Sequence, residues 1–249
     1  MIKVLILGGT TEAGELAQAL AKTDVPALYS YAGRVKTPKP QPIPVRTGGF
    51  GGAEGLGEFL RAEGFTHLVD ATHPFAEQMS RNAVLASDQS GVPLLALTRS
   101  PWQPVEGDRW QEVANVEAAV QALAGPRQRV MLAIGRQHLE AFASQPQHHY
   151  LLRLVDEPTG ALPLPNCTVT VDRGPFTTKG DLALLKRHGI ERVVSKNAGG
   201  EGAAAKLLAA RELGLPVLMI KRPTLATRPE VHSVDQVLRW LGHEVALGV

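Results

Sequence analysis

Three short stretches carry residue types that bind anions and move protons. Gly8-Gly9-Thr10-Thr11-Glu12 follows an apolar run over residues 2–7. Glycines at such a point permit a tight turn and close backbone approach, and a helix that follows offers free N–H groups to a phosphate. The spacing is not the full G-x-G-x-x-G pattern, so a plain strand-to-helix turn capped by Thr10 or Thr11 is the competing reading. Ser30-Tyr31-Ala32-Gly33-Arg34 follows a second apolar run. In dinucleotide folds this point meets the adenosine ribose, where an acidic side chain favours NAD and an arginine accommodates the extra phosphate of NADP. Ser30 and Arg34 stand here without an Asp or Glu. They point to NADP(H) if a dinucleotide binds; otherwise Arg34 is a solvated loop cation. Thr72-His73-Pro74-Phe75 follows a third run. Thr72 suits a helix cap with Pro74 in the first turn. His73 is either a donor or proton shuttle facing a cleft, or a packed loop residue.

The second half of the chain offers Arg173-Gly174-Pro175-Phe176-Thr177-Thr178-Lys179 and Ser195-Lys196-Asn197-Ala198-Gly199-Gly200-Glu201. The latter again sets glycines at a helix start, with Lys196 as an anion contact and Asn197 as a hydrogen-bonder. Lys221-Arg222 adds charge after the last clear strand, or is surface. Other chemistries are missing. None of the 3 tyrosines has a lysine four residues on, so the Tyr-x-x-x-Lys pair of short-chain dehydrogenases is absent. No Walker A run and no Gly-x-Ser-x-Gly elbow occur. The 8 histidines lack His-Glu-x-x-His spacing, and the adjacent His148 and His149 would point to opposite faces of a strand. No metal site is expected.

Ligands in open α/β sheets bind beyond the carboxyl ends of strands, so these stretches need strands behind them. Residues 2–7, 26–31, 66–71 and 93–98 read as strands, and 12–22, 54–63 and 76–90 as helices. Residues 32–52, with Pro38, Pro40, Pro42 and Pro44 followed by Gly48-Gly49-Phe50-Gly51-Gly52, read as one long loop. A Pro-, Trp- and charge-rich stretch at 99–110 interrupts the rhythm. Strands at 129–134, 149–154, 168–171, 192–195 and 216–220 then alternate with helices at 116–123, 137–143, 179–188, 201–213 and 234–241. This alternation predicts an α/β fold of two Rossmann-like parallel-sheet domains, 1–100 and 101–249, with a ligand cleft between them.

Composition supports a globular enzyme. The 249 residues are ample for a core, and 26 basic against 24 acidic side chains exclude nucleic-acid binding by bulk charge. The lone Cys167 excludes an internal disulfide framework. The N-terminal apolar run is too short for a signal peptide and nothing approaches a membrane span, so a cytoplasmic protein is expected. The 25 glycines and 18 prolines are the least ordinary numbers.

Taken in order, Gly8-Gly9-Thr10-Thr11-Glu12, Ala32-Gly33-Arg34, Thr72-His73-Pro74-Phe75-Ala76, Gly174-Pro175-Phe176 and Lys196-Asn197-Ala198-Gly199-Gly200 resemble the motifs of the precorrin-6A reductase family of cobalamin biosynthesis. The resemblance runs from about residue 2 to about residue 222. Ala198 departs from it, since serine is more usual there. The resemblance implies an NADPH-dependent oxidoreductase that reduces one double bond of precorrin-6A, or its cobalt form, to precorrin-6B. It implies NADP(H) on Gly8, Gly9, Thr10, Thr11, Glu12, Ser30, Gly33, Arg34 and Thr72, with Lys196, Asn197, Gly199 and Gly200 facing from the second domain. His73 is the protein candidate for proton delivery. Arg99, Arg153, Arg173 and Lys179 are candidates for the substrate carboxylates. The expected partner is a tetrapyrrole, with substrate handover to neighbouring pathway enzymes, and neither nucleic acid nor membrane. Two readings compete: a dinucleotide-sensing module without turnover, and a two-domain nucleotide-sugar transferase.

Overall fold

A computed structural model describes residues 1–33, 38–158, 160–172 and 174–246, with side chains to residue 242. The first strand, β1 (Val4–Leu7), is buried at every position, as a parallel strand covered on both faces must be. Thr10 then caps α1 (Thr11–Leu20), whose Ala13, Leu16, Ala17 and Leu20 form one buried stripe at helical spacing. Burying each leucine contributes about 1.5–3 kcal/mol.

The remaining elements of this part are β2 (Ala27–Tyr31), β3 (Val45–Thr47), α2 (Gly52–Ala62), β4 (His67–Asp70), α3 (Glu77–Ser90) and β5 (Leu94–Leu97). The later part contains β6 (Arg109–Val113), α4 (Val116–Gln121), β7 (Arg129–Ala133), β8 (His149–Leu154), β9 (Cys167–Val171), α5 (Thr178–Arg187), β10 (Arg192–Lys196), α6 (Ala205–Glu212) and β11 (Pro216–Ile220). The chain ends in β12 (Glu230–Val231) and α7 (Val234–Ala246).

Two six-stranded sheets result, ordered β12-β5-β4-β1-β2-β3 and β6-β11-β10-β7-β8-β9. Every strand pair is parallel. This is the doubly wound α/β architecture expected from the alternation. In the first sheet the chain works outward from β1 and then reverses; in the second it enters at the edge strand β6, moves to the central β7, works outward and reverses, so the switch points fall between β1 and β4 and between β7 and β10. One face of the first sheet packs Val4, Ile6, Tyr29 and Tyr31 against α1 and α7; the other packs Leu5, Leu7 and Leu68 against α2 and α3. In the second sheet Met131, Val193, Val217 and Met219 pack with Leu185, Leu207 and Ala210 of the helices.

The compact units are residues Met1–Arg99 with Thr224–Val249, and Ser100–Pro223. The expected second domain, 101–249, is therefore corrected at its end. Val237 and Leu241 of α7 are buried in the first core, and β12 pairs with β5. An amphipathic helix joins whichever core covers its apolar stripe, and chain order does not choose that core. Other corrections are local. The expected helix at 137–143 is a pair of 3-10 turns, Arg136–His138 and Glu140–Ser144. The stretches read as irregular contain the short strands β3 and β6. Among the described residues no helix is long and apolar enough to cross a membrane, and no group of three His, Cys, Asp or Glu could hold a metal ion.

Candidate functional site

The turn after β1 lies at the switch point of the first sheet. Gly8 is required sterically: a Cβ there would sit 2.1 Å from Cζ of Tyr29, which is fully buried on β2. The Tyr29 hydroxyl accepts the Gly9 N–H at 2.8 Å, and burial raises its pKa. Gly9 has φ of +121°, a conformation open mainly to glycine. Nothing lies within 4 Å of the position its Cβ would take. Thr10 Oγ1 accepts the Ala13 N–H at 3.1 Å and donates to the Ala71 carbonyl at 2.8 Å. It thereby caps α1 and ties the β1 turn to the end of β4. The leading N–H groups of α1, at Thr11 and Glu12, remain for a ligand.

A cavity of about 190 Å³ opens over this turn, lined by Gly8, Gly9, Tyr31, Gly33, Thr72 and His73 among others. Thr72 does not cap α3, which begins at Glu77 without a side-chain cap. Its hydroxyl and N–H instead donate to Asp70 Oδ1, at 2.7 and 3.1 Å. His73 is exposed, and its Nδ1 accepts the Phe75 N–H at 3.2 Å. A ring nitrogen that accepts carries no proton, so the neutral imidazole bears its proton on Nε2.

Other predicted residues have intramolecular partners. Ser30 Oγ accepts from Arg46 Nη1 at 2.9 Å. Arg46 also donates to the carbonyls of Gly48 and Gly49 and stacks 3.9 Å from the Phe50 ring centre. Desolvation lowers the Arg46 pKa. Glu12 pairs with Arg99 Nε at 2.8 Å, so neither the expected cofactor contact of Glu12 nor the substrate contact of Arg99 starts from an unpaired group. Arg34 and Arg173 lie outside the described residues.

Lys196, Asn197, Gly199 and Gly200 belong to the second unit. Lys196 ends β10. The buried Asn197 amide is occupied at both ends: Oδ1 accepts the Trp102 N–H at 2.8 Å, and Nδ2 donates to the Trp102 carbonyl at 2.9 Å. The Trp102 indole N–H donates to the Gly200 carbonyl at 2.9 Å. Arg222 Nε donates to the Asn197 carbonyl at 2.9 Å. The Asn197 side chain thus anchors the chain around Trp102. Gly199 and Gly200 have φ of +70° and +78°, so the glycines serve the loop backbone itself.

Of the substrate candidates, Arg153 is buried, ion-paired with Asp181, and stacked 3.7 Å from the Phe176 ring centre. It lines a second cavity, of about 430 Å³, with Phe176, Asp181 and Arg187. Lys179 is exposed in the first turn of α5. Sequence reasoning missed Tyr29, Arg46, Asp70 and Trp102. Only Asp70 carried a visible signal, a carboxylate directly after the apolar pair Leu68-Val69 at the end of a strand.

An all-parallel sheet with a glycine turn and a capped helix at its switch point defines a doubly wound α/β protein. The comparisons narrow this. The family described as precorrin-6x reductase CbiJ/CobK matches residues 3–242, and the chain belongs to that family. It is 54% identical over 241 residues to a precorrin-6A reductase of Rhodobacter capsulatus, covering 97% of this chain and 96% of that protein. It is 47% identical over 246 residues to a precorrin-6A reductase of Sinorhizobium sp, covering 98% and 94%. A solved structure titled CobK precorrin-6A reductase superposes with a TM-score of 0.94 at 54% identity, covering 98% of this chain and 97% of that one.

Proposed function

We propose that this chain reduces precorrin-6A to precorrin-6B in cobalamin biosynthesis, with NADPH as the hydride source. The observation that carries the reading is the cavity over Gly8-Gly9 and the capped start of α1, in a chain of this family. The residues fit the cofactor. At Gly9 the backbone borders open space where any side chain would intrude, and helix N–H groups beside it suit a pyrophosphate.

On this reading Gly8, Gly9, Thr10 and Thr11 form the pyrophosphate seat by backbone. Ser30, held by Arg46, and Arg34 take the 2′-phosphate. Thr72 and His73 border the nicotinamide side. When bound, the nicotinamide supplies the hydride, and the protein supplies orientation and charge. His73 would deliver a proton only as the imidazolium, so Nδ1 must first release the Phe75 N–H that it accepts in the neutral ring. Arg153 serves the fold through Asp181, which leaves Lys179 as the described candidate for a substrate carboxylate.

The test is absorbance at 340 nm with purified protein, precorrin-6A or its cobalt form, and NADPH or NADH. Oxidation of NADPH in preference to NADH is expected, with the preference falling on Arg34→Ala. No oxidation with either substrate overturns the reading. A preference that survives Arg34→Ala overturns the 2′-phosphate assignment. His73→Ala is expected to slow single-turnover reduction far more than it weakens NADPH binding; unchanged reduction removes His73 from the chemistry.

A further inference from the structure

We infer that Arg228 is a positioning residue of the cavity, acting through Asp70 on the Thr72–His73 loop. The inference rests on the reading of that cavity as the cofactor site. Asp70 ends β4 with its side chain 1% exposed, and its two oxygens are divided between two tasks. Oδ1 accepts both the N–H and the hydroxyl of Thr72 and so shapes the loop. Oδ2 accepts the Ser80 hydroxyl at 2.6 Å, which ties it to α3, and Nη1 of Arg228.

Arg228 is itself buried, with its side chain 8% exposed, and its Nε reaches Glu230 on β12 at 3.3 Å. The guanidinium fork therefore meets a buried carboxylate on one side and an edge-strand carboxylate on the other, a geometry that a lysine ammonium does not reproduce. Among the described ion pairs, Arg228 is the countercharge of Asp70. Without it the carboxylate is buried and uncompensated, and must take up a proton or move toward water. Either change alters Oδ1, and with it Thr72 and the neighbouring His73. Both line the cavity; Arg228 does not. The arginine comes 158 residues after Asp70, from the segment that returns to the first unit. That return closes a sheet edge and also sets the loop facing the ligand.

The experiment compares Arg228→Met, Arg228→Lys, Asp70→Asn/Arg228→Met and Val237→Ala. Val237 is fully buried in α7 and takes no part in Asp70's hydrogen bonds, so its variant is a destabilised control. At a temperature where circular dichroism shows each variant folded, Arg228→Met is expected to lower kcat/KM by on the order of 10–100-fold, the scale of a small misplacement at a reacting centre. Arg228→Lys recovers part of the loss. The double variant is no worse than Arg228→Met, because both act through one carboxylate. Val237→Ala keeps kcat/KM within about twofold of the wild type.

A second readout needs no cofactor: amide hydrogen exchange over residues 71–76 rises in Arg228→Met and not in Val237→Ala. A folded Arg228→Met with unchanged exchange overturns the inference, as does a Val237→Ala that loses as much kcat/KM. A wild-type protein that does not oxidise NADPH, but whose exchange responds to Arg228→Met, removes the cofactor reading and retains the positioning.

Discussion

The two units share the order of five strands, β5-β4-β1-β2-β3 and β11-β10-β7-β8-β9, and diverge at the sixth strand and at the switch point. In the first, the turn after β1 runs straight into a ten-residue helix capped by Thr10. In the second, the turn after β7 runs through Gly135 into 3-10 turns of three and five residues. Short 3-10 pieces align few peptide dipoles, so they cannot present the N-terminal charge that a regular helix does. The loops after β4 and β10 differ too. Shared topology provides two places where a ligand could sit. In the first unit Thr72 and His73 line a cavity, and in the second the Asn197 amide is bonded to the Trp102 backbone.

Each unit also buries one Arg–Asp pair, and these give the largest expected effect. Arg153 and Asp181 have side chains 9% and 4% exposed. Removing one partner of such a pair costs about 3–5 kcal/mol. Arg153→Met should therefore lower stability by that amount in denaturant melts while leaving NADPH affinity unchanged. A matching loss of NADPH affinity would break the assignment of binding to the first unit.

The paired glycines come next. Gly8→Ala drives a methyl into the Tyr29 ring, and overpacking a core costs about 1–3 kcal/mol. That strain sits in the turn proposed to meet the cofactor, so fluorescence titration should show NADPH affinity falling by roughly 10–100-fold. Gly135→Ala meets no neighbour within 4 Å but must hold φ near +79°. It should cost about 1–3 kcal/mol of stability and leave affinity alone. Equal effects on affinity would show that the two turns serve one ligand.

Asn197→Ala follows. It removes both hydrogen bonds to the Trp102 backbone, a loss of about 1–3 kcal/mol. Tryptophan emission should shift, and NADPH affinity should hold. A loss of affinity without an emission change would restore Asn197 to the cofactor.

These particulars mark what a single sequence can carry. The buried strand before Gly8 and the stripe on α1 were legible because each repeats over its own element. Gly8-Gly9 was legible as a turn, but the reason for Gly8 was not: Tyr29 lies on another strand, and only tertiary packing sets its ring against that backbone. Arg99, Arg153 and Asn197 were the right types for anions and amides. Whether such a group faces a ligand or a partner depends on pairs such as Glu12 with Arg99 and Asp181 with Arg153, far apart in the chain. The return of residues 224–249 was illegible for the same reason, since an apolar stripe records that it is covered and not by which core.

The last expected effect concerns charge in the second unit and shows only above pH 8. Lys206 is buried, donates to the Ala203 carbonyl at 2.5 Å and lies 4.8 Å from the Trp102 ring centre. Desolvation, reinforced by Arg153 and opposed by Asp181, lowers its pKa to about 8. The unfolded chain holds this proton to near 10.5. Between those values the unfolded state binds more protons, so folding stability gains with rising pH, with a slope of at most about 1.4 kcal/mol per pH unit. Below pH 8 both states are protonated and the slope vanishes; the burial penalty is then fully present. Lys206→Met should lack this rise, so its stability relative to wild type falls between pH 8 and 10.5. Denaturant melts across that window check it, and parallel curves for the two proteins would show that the ammonium is solvated after all. NADPH affinity should be indifferent to the substitution throughout if the cofactor binds at the glycine turn of the first unit, because Lys206 belongs to the second.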